Sequence, residues 1–146
     1  MASRHRSREL AVQMAYQFEM DASSLADPNV LDRFWMEQAL SGDENRAYFE
    51  VLIRGVAQSM PFLDSKIESS SKNWKMTRID KVDLAILRVA AFELLILDVK
   101  ERPDPPVVIN EAIEIAKKFG NSKSPSFVNG VLDSLIEEKS GGSSSP

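Results

Sequence analysis

The stretch from Leu84 to Leu97 constrains this chain more than any other. Taken as a helix, it is apolar almost all the way round, and only Arg88 and Glu93 interrupt it. Such a helix cannot lie on a surface, because an apolar side would always meet water. It must be contacted by other helices on several sides. The run is too short to span a bilayer and carries two charges, so burial in a protein core is the reading. Glu93 inside it has two readings. It forms a core ion pair with Arg88 or another base, or burial raises its pKa for proton chemistry; the ion pair is favoured.

Helical periodicity supplies the surrounding elements. Ala11, Met14, Ala15 and Phe18 share one helix face. Asp27-Pro28 reads as a cap followed by a first-turn proline, and Leu31, Phe34 and Trp35 continue from it. Leu52, Ile53, Val56, Met60, Leu63 and Ile67 form a longer stripe, which Pro61 is expected to kink or split. Ser69-Ser70-Ser71 marks a loop, and Trp74 beyond it is expected to pack in the core. Arg102-Pro103-Asp104-Pro105-Pro106 reads as a stiff connector. Ile109, Ala112, Ile113 and Ala116 form the next stripe, with Glu114 paired to Lys118 and Gly120 as the stop. Ser124-Pro125 starts a last helix with Val128, Val131, Leu132 and Leu135 inward. Strand signals are few. The expected fold is all-α, a compact bundle of about six to seven helices. Residues 1–138 make one domain and the Ser/Gly-rich residues 139–146 a disordered tail.

Enzymatic readings find little support. The only histidine is His5, in a terminus expected to be mobile, so a fixed nucleophile–base pair has no base. No glycine-rich phosphate loop and no metal-ligand spacing is visible, so no catalytic residue, metal or cofactor is expected. The chain has no cysteine, which suits a reducing cytosol, and no signal peptide precedes the first helix.

A net charge of -4 does not advertise nucleic-acid binding, but it conceals an asymmetry. Arg4, Arg6 and Arg8 cluster beside His5, whereas Glu9 to Glu50 is mostly acidic. These arginines stand at a helix N-terminus, against the helix dipole. An anion held by guanidinium forks and free backbone N–H groups explains the placement; a solvated tail is the alternative. Lys117, Lys118 and Lys123 flank Gly120, either as surface charges or as further contacts. Phe127 either packs against Val131 or offers a platform for an unpaired base. Asn129 can bond a base edge or its own backbone. Gly130 costs roughly 1 kcal/mol inside a helix and is expected to admit a neighbouring helix. Asp83 reads as a solvated charge on the outer start of the apolar helix.

The string Asn73-Trp74, Arg78-Ile79-Asp80, Ile86-Leu87-Arg88, Phe92-Glu93-Leu94-Leu95, Val108-Ile109-Asn110-Glu111-Ala112, Phe119-Gly120 and Phe127-Val128-Asn129-Gly130-Val131-Leu132 resembles the NusB family of bacterial transcription antitermination factors. Arg8-Glu9-Leu10-Ala11-Val12-Gln13, Tyr16 and Gly55 extend the resemblance, while Ala22 to Ala47 adds little beyond helical character. The resemblance implies two small helical bundles packed together and a non-enzymatic, cytoplasmic, bacterial RNA-binding adaptor. Its implied ligand is a single-stranded boxA-like element of nascent ribosomal RNA. Its implied partners are NusE, a small-subunit ribosomal protein, and the antitermination complex on RNA polymerase. No membrane is involved, and family members can form homodimers through the RNA-binding surface.

By the same resemblance, RNA contacts fall to Arg4, Arg6, Arg8, Lys117, Lys118, Lys123, Phe127 and Asn129. Arg78, Lys81, Asp83 and Leu84 fall on the NusE face. Lys123 stands where some relatives carry an acid. Two rivals follow from different classes. NusB-like domains also begin some ribosomal RNA cytosine methyltransferases, and a helical scaffold can bind protein without RNA.

Overall fold

Burial of the apolar run organises the molecule. The structure, a computed structural model, describes residues 4–37, 43–71 and 75–144, without the side chains of Asp43 and of residues beyond Glu138. Its helices are α1 (Arg4–Met20), α2 (Val30–Glu37), α3 (Arg46–Ser70), α4 (Lys81–Leu95), α5 (Pro105–Phe119) and α6 (Ser124–Ser144). Short 3-10 turns cover Ala22–Ala26, Asp43–Asn45 and Met76–Arg78. No strand occurs among the described residues. Every residue of α4 from Asp83 to Leu94 is buried, and α1, α3, α5 and α6 all pack on it. The group α1–α3 and the pair α5–α6 are therefore two packings around one shared helix, and their apolar residues join in a single core.

The stripes fall where the periodicity puts them, with one rotation. Ala11, Met14, Ala15 and Phe18 are buried, as are Leu52, Ile53, Val56, Leu63, Ile67 and the four of α6. On α5 the inward face is Val108, Ala112, Ile115 and Ala116, so Ile109 and Ile113 are only half-buried. Phe49 stacks on Phe34 at 5.5 Å between centroids, with Trp35 tilted against it at 5.1 Å, and this cluster seats α2. Trp74 lies outside the described residues.

Two expectations about helix ends are corrected. Pro61 does not split α3, which runs unbroken to Ser70. The proline ring sits on the exposed side, where water can serve the carbonyl that it leaves unpaired, and the buried stripe holds both halves on α4. The proline-rich connector is shorter than expected, because α5 begins at Pro105 with prolines at its first two positions. There the missing N–H is no loss, since helix starts leave those groups free. The backbone of α6 is helical to Ser144. Extending an existing helix adds one hydrogen bond per residue without a new nucleus. Residues 145–146 lie outside the described residues.

Two glycines have opposite surroundings. A Cβ on Gly55 would lie 2.1 Å from the Phe92 ring, so the glycine lets α3 and α4 meet closely. A Cβ on Gly130 would meet nothing within 4 Å, which corrects the expectation of a helix packed against it. Gly55→Ala should therefore cost about 1–3 kcal/mol through overpacking. Gly130→Ala should stabilise by up to about 1 kcal/mol through helix propensity. Urea unfolding of both variants checks the pair; equal effects would show that Phe92 yields to the methyl group.

Candidate nucleic-acid interface

The first turns of α1 and the outer face of α5 form the walls of an open cleft of about 880 Å³. His5, Arg6, Glu9, Glu111, Lys117 and Lys118 are among its lining residues. Glu9 is 4% exposed and organises it. Its carboxylate accepts from Arg6 at 3.1 Å and from Lys118 at 3.0 Å, and His5 Nε2 lies at 3.2 Å. Burial alone would raise the Glu9 pKa, but the Lys118 and Arg6 hydrogen bonds overcome it and hold the group below its usual value. His5 also contacts Glu111 and belongs to α1, which corrects the expectation of a mobile terminus. Lys118 reaches Glu9 rather than Glu114, whose partner is Lys117 at 3.4 Å. A buried carboxylate needs a counter-charge more than an exposed one does.

The three arginines have separate fates. Arg4 is exposed; it donates to the Glu101 carbonyl at 3.3 Å and lies 4.3 Å from the centre of the Tyr48 ring. Arg6 is half-buried at the cleft. Arg8 turns inward and is 4% exposed. Its Nε and Nη2 grip Glu93 at 2.8 and 2.9 Å, and Tyr48 donates to the same carboxylate at 2.6 Å. Burial would lower the Arg8 pKa, but the Glu93 hydrogen bonds and charge reverse the shift. Burial and the hydrogen bond to Glu93 raise the Tyr48 hydroxyl pKa. Glu93 is thus the core ion pair expected from the sequence, with Arg8 as its base. Arg88 instead bridges Asp64 and Glu19, each at 2.8 Å. The arginines' position against the dipole is answered largely by acids of their own chain.

A second cleft, of about 520 Å³, opens between the start of α4 and the α5–α6 turn. Arg78, Asp83, Asn121, Lys123 and Phe127 line it. Arg78 and Lys123 are exposed at its rim, and Phe127 is half-buried. Asp80 caps α4, accepting from the N–H groups of Val82 and Asp83. Gly120 closes α5 by proximity rather than by a left-handed backbone, since a Cβ there would lie 2.4 Å from Ser124 Oγ. That hydroxyl accepts from the Asn121 N–H at 3.0 Å and so shapes the turn carrying Lys123.

The expected partner face is only partly a surface. Arg78 is exposed and Lys81 half-buried, with its ammonium 3.5 Å from Glu19. Asp83 and Leu84 are buried at 5% and 1% exposure, which corrects the reading of Asp83 as a solvated charge. Burial raises the Asp83 pKa, Asp80 adds to the shift, and the Ser124 hydroxyl opposes it. The Oδ1 atom of Asp83 is buried without a hydrogen-bond partner. Asn129 is exposed. Periodicity did not single out Glu9; its signal was an acid one turn from His5 and among the arginines.

The comparisons with known proteins agree with one another. The model of the NusB family matches residues 5–137. The transcription antitermination protein NusB of Trichlorobacter lovleyi is 43% identical over 135 residues, covering 92% of this chain and 91% of that protein. Its counterpart from Anaeromyxobacter dehalogenans is 46% identical over 132 residues, covering 90% and 89%. Among solved structures, NusB of T. maritima superposes with a TM-score of 0.78 at 28% identity, covering 94% of both chains. A structure of antitermination factors NusB and NusE in complex with dsRNA shares the fold, with a TM-score of 0.79 at 24% identity over 92% of this chain and 96% of that one.

Two substitutions test the site's electrostatics. Arg8→Ala strands the Glu93 carboxylate and should cost about 3–5 kcal/mol in chemical unfolding; a loss below about 1 kcal/mol would exclude a structural role for the pair. Asp83 prefers its proton in the folded chain, so it weakens the fold above its raised pKa. That penalty fades as pH falls through the raised value towards the ordinary 3.8. Asp83→Asn should therefore raise Tm at neutral pH, with the gain vanishing on acidification. A gain that grows in acid would reverse the assignment.

Proposed function

From the premise that the chain belongs to the NusB family of transcription antitermination proteins, a non-enzymatic family, we propose that it binds single-stranded RNA jointly with NusE. Its RNA is a boxA-like element of nascent ribosomal transcripts. Its task is to hold that RNA near elongating polymerase in the cytoplasm and so suppress termination. One observation carries this reading: cations from two distant parts of the chain, Arg6 of α1 and Lys118 of α5, are held side by side on the Glu9 carboxylate at an open cleft. Two positive groups spaced by a rigid tether suit successive phosphates. The shared fold of the NusB and NusE structure with dsRNA adds support for the class of partner.

The charge balance of the cleft also bears on why a partner is needed. His5, Arg6, Lys117 and Lys118 face Glu9, Glu111 and Glu114, so the cleft is zwitterionic rather than basic. A phosphate entering it exchanges one anion for another. Affinity for RNA alone is then modest, and a basic partner beside the cleft raises it. Phosphate contacts come from Arg4, Arg6, Lys117, Lys118 and Lys123. Phe127 supplies a stacking face and Asn129 a contact to an exposed base edge. Arg8 serves indirectly, by fixing α1 against α4. Arg78 and Lys81 are the accessible members of the NusE face.

Filter binding of a short boxA strand, with and without NusE, tests the reading. Arg6→Ala and Lys118→Ala should each weaken binding across sequence variants and flatten the salt dependence by roughly 0.7 per lost contact. Phe127→Ala should cost about 1–3 kcal/mol and leave the salt slope nearly intact. An unchanged affinity for all three variants would leave a protein-binding scaffold as the function.

A further inference from the structure

We propose that His5 joins, as the imidazolium, the cations that an RNA phosphate meets in the α1–α5 cleft, so that this chain takes up a proton when it binds RNA. The inference rests on the RNA-binding reading and adds a proton linkage to it. His5 is the only histidine of the chain and lines the open cleft together with Arg6 and Lys118. Its side chain is 39% exposed, so a ligand in the cleft can reach the ring.

The ring stands between two carboxylates from different helices. Its Nε2 lies 3.2 Å from the Glu9 carboxylate of α1, and its Nδ1 meets the Glu111 carboxylate of α5. A neutral imidazole has one N–H. It can satisfy one of these acceptors and turns a lone pair towards the other. The imidazolium donates from both nitrogens and satisfies both. The arrangement therefore suits a ring that carries two protons. Histidine is also the side chain whose charge ordinarily changes between about pH 5 and 8.

The surrounding charges tie that proton to RNA. Within α1, Arg6 donates to Glu9 at 3.1 Å and Arg8 stands 3.7 Å from Glu111. From α5, Lys118 donates to Glu9 at 3.0 Å, and the exposed Glu114 and Lys117 form a pair in the same cleft. A phosphate that draws Arg6 and Lys118 towards itself leaves Glu9 short of countercharge. A charged His5 ring supplies it; a neutral ring does not. The phosphate also favours the charged ring directly, as any added anion does. Burial alone would raise the Glu9 pKa, but the Lys118 and Arg6 hydrogen bonds hold it below its usual value, so Glu9 remains an anion near neutral pH. Proton and RNA then strengthen each other's binding by the same factor. Affinity for RNA rises as pH falls through the imidazole range.

The test is calorimetric titration of a short boxA strand into the full chain with NusE present. Affinity is measured near pH 6 and near pH 8, on either side of the ordinary imidazole value of about 6.5. Proton uptake is measured near pH 7 (between those limits) in PIPES and in imidazole buffer, whose ionisation enthalpies differ. Wild type should bind about three- to ten-fold tighter near pH 6 than near pH 8, the change given by a shift of up to about one pKa unit. It should take up a fraction of a proton. His5→Gln keeps a polar side chain but cannot gain charge. Its pH dependence should shrink below about two-fold and its proton uptake should vanish. His5→Lys carries a lasting charge, so its affinity should be as flat with pH as that of His5→Gln but tighter. A His5→Gln variant that keeps the wild-type uptake and pH dependence overturns the proposal. An equal loss of affinity at both pH values also overturns it, since that marks a structural role for the ring. A flat wild-type profile overturns the linkage while leaving RNA binding intact. Failure of wild type to bind at either pH would overturn the proposed function as well.

Discussion

The ion pair between Arg8 and Glu93 is the interaction on which the arrangement of the molecule depends. It joins the first helix to the most buried one, and the Tyr48 hydroxyl brings α3 to the same carboxylate. A buried charge pair gives less net stability than a well-packed apolar substitute, but it is unforgiving of a wrong partner or distance. A bidentate guanidinium on a carboxylate fixes both separation and orientation. α1 is therefore held on α4 in one register, and the residues just before Arg8 are carried to a defined place. Arg88, held by Glu19 of α1 and Asp64 of α3, repeats the device along α4.

That register gives the N-terminal cations their meaning. Arg6 and His5 are ordinary side chains of a helical first turn until α5 brings Lys118 and Glu111 beside them. Glu9 then binds cations from both helices and sets their spacing. The same acid lowers the net positive charge of the cleft. A site so balanced discriminates by geometry more than by total charge. The chain's overall net charge of -4 agrees with an adaptor that avoids indiscriminate nucleic-acid binding.

The second cleft follows a different logic. Its lining joins the exposed Arg78 and Lys123 to the half-buried Phe127 and the buried Asp83. Ser124 links the features, since its hydroxyl shapes the turn at Gly120 and touches the electrostatics of Asp83. The exposed Gly130, against which none of the described residues packs, lies on the same helix as Ser124.

The all-helical class, the central buried helix and nearly every inward stripe were legible in the sequence, because they follow from local periodicity and from the cost of exposing apolar surface. The motifs also carried the family. Stripe arithmetic missed where charge pairs form. It offered Arg88 for Glu93 and Glu114 for Lys118, because it sees only neighbours along one helix. Arg8 and Glu9 won those places from across the fold, where buried carboxylates compete for whichever base can reach them. It also left Asp83 in solvent and let Pro61 kink or split a helix that runs unbroken to Ser70. What the sequence determined by itself is therefore which faces turn inward, a property of residue order along each helix. Which cations face outward, and which acids silence the others, was decided only when the helices met, because electrostatic partnership depends on distance through space and on exclusion of water.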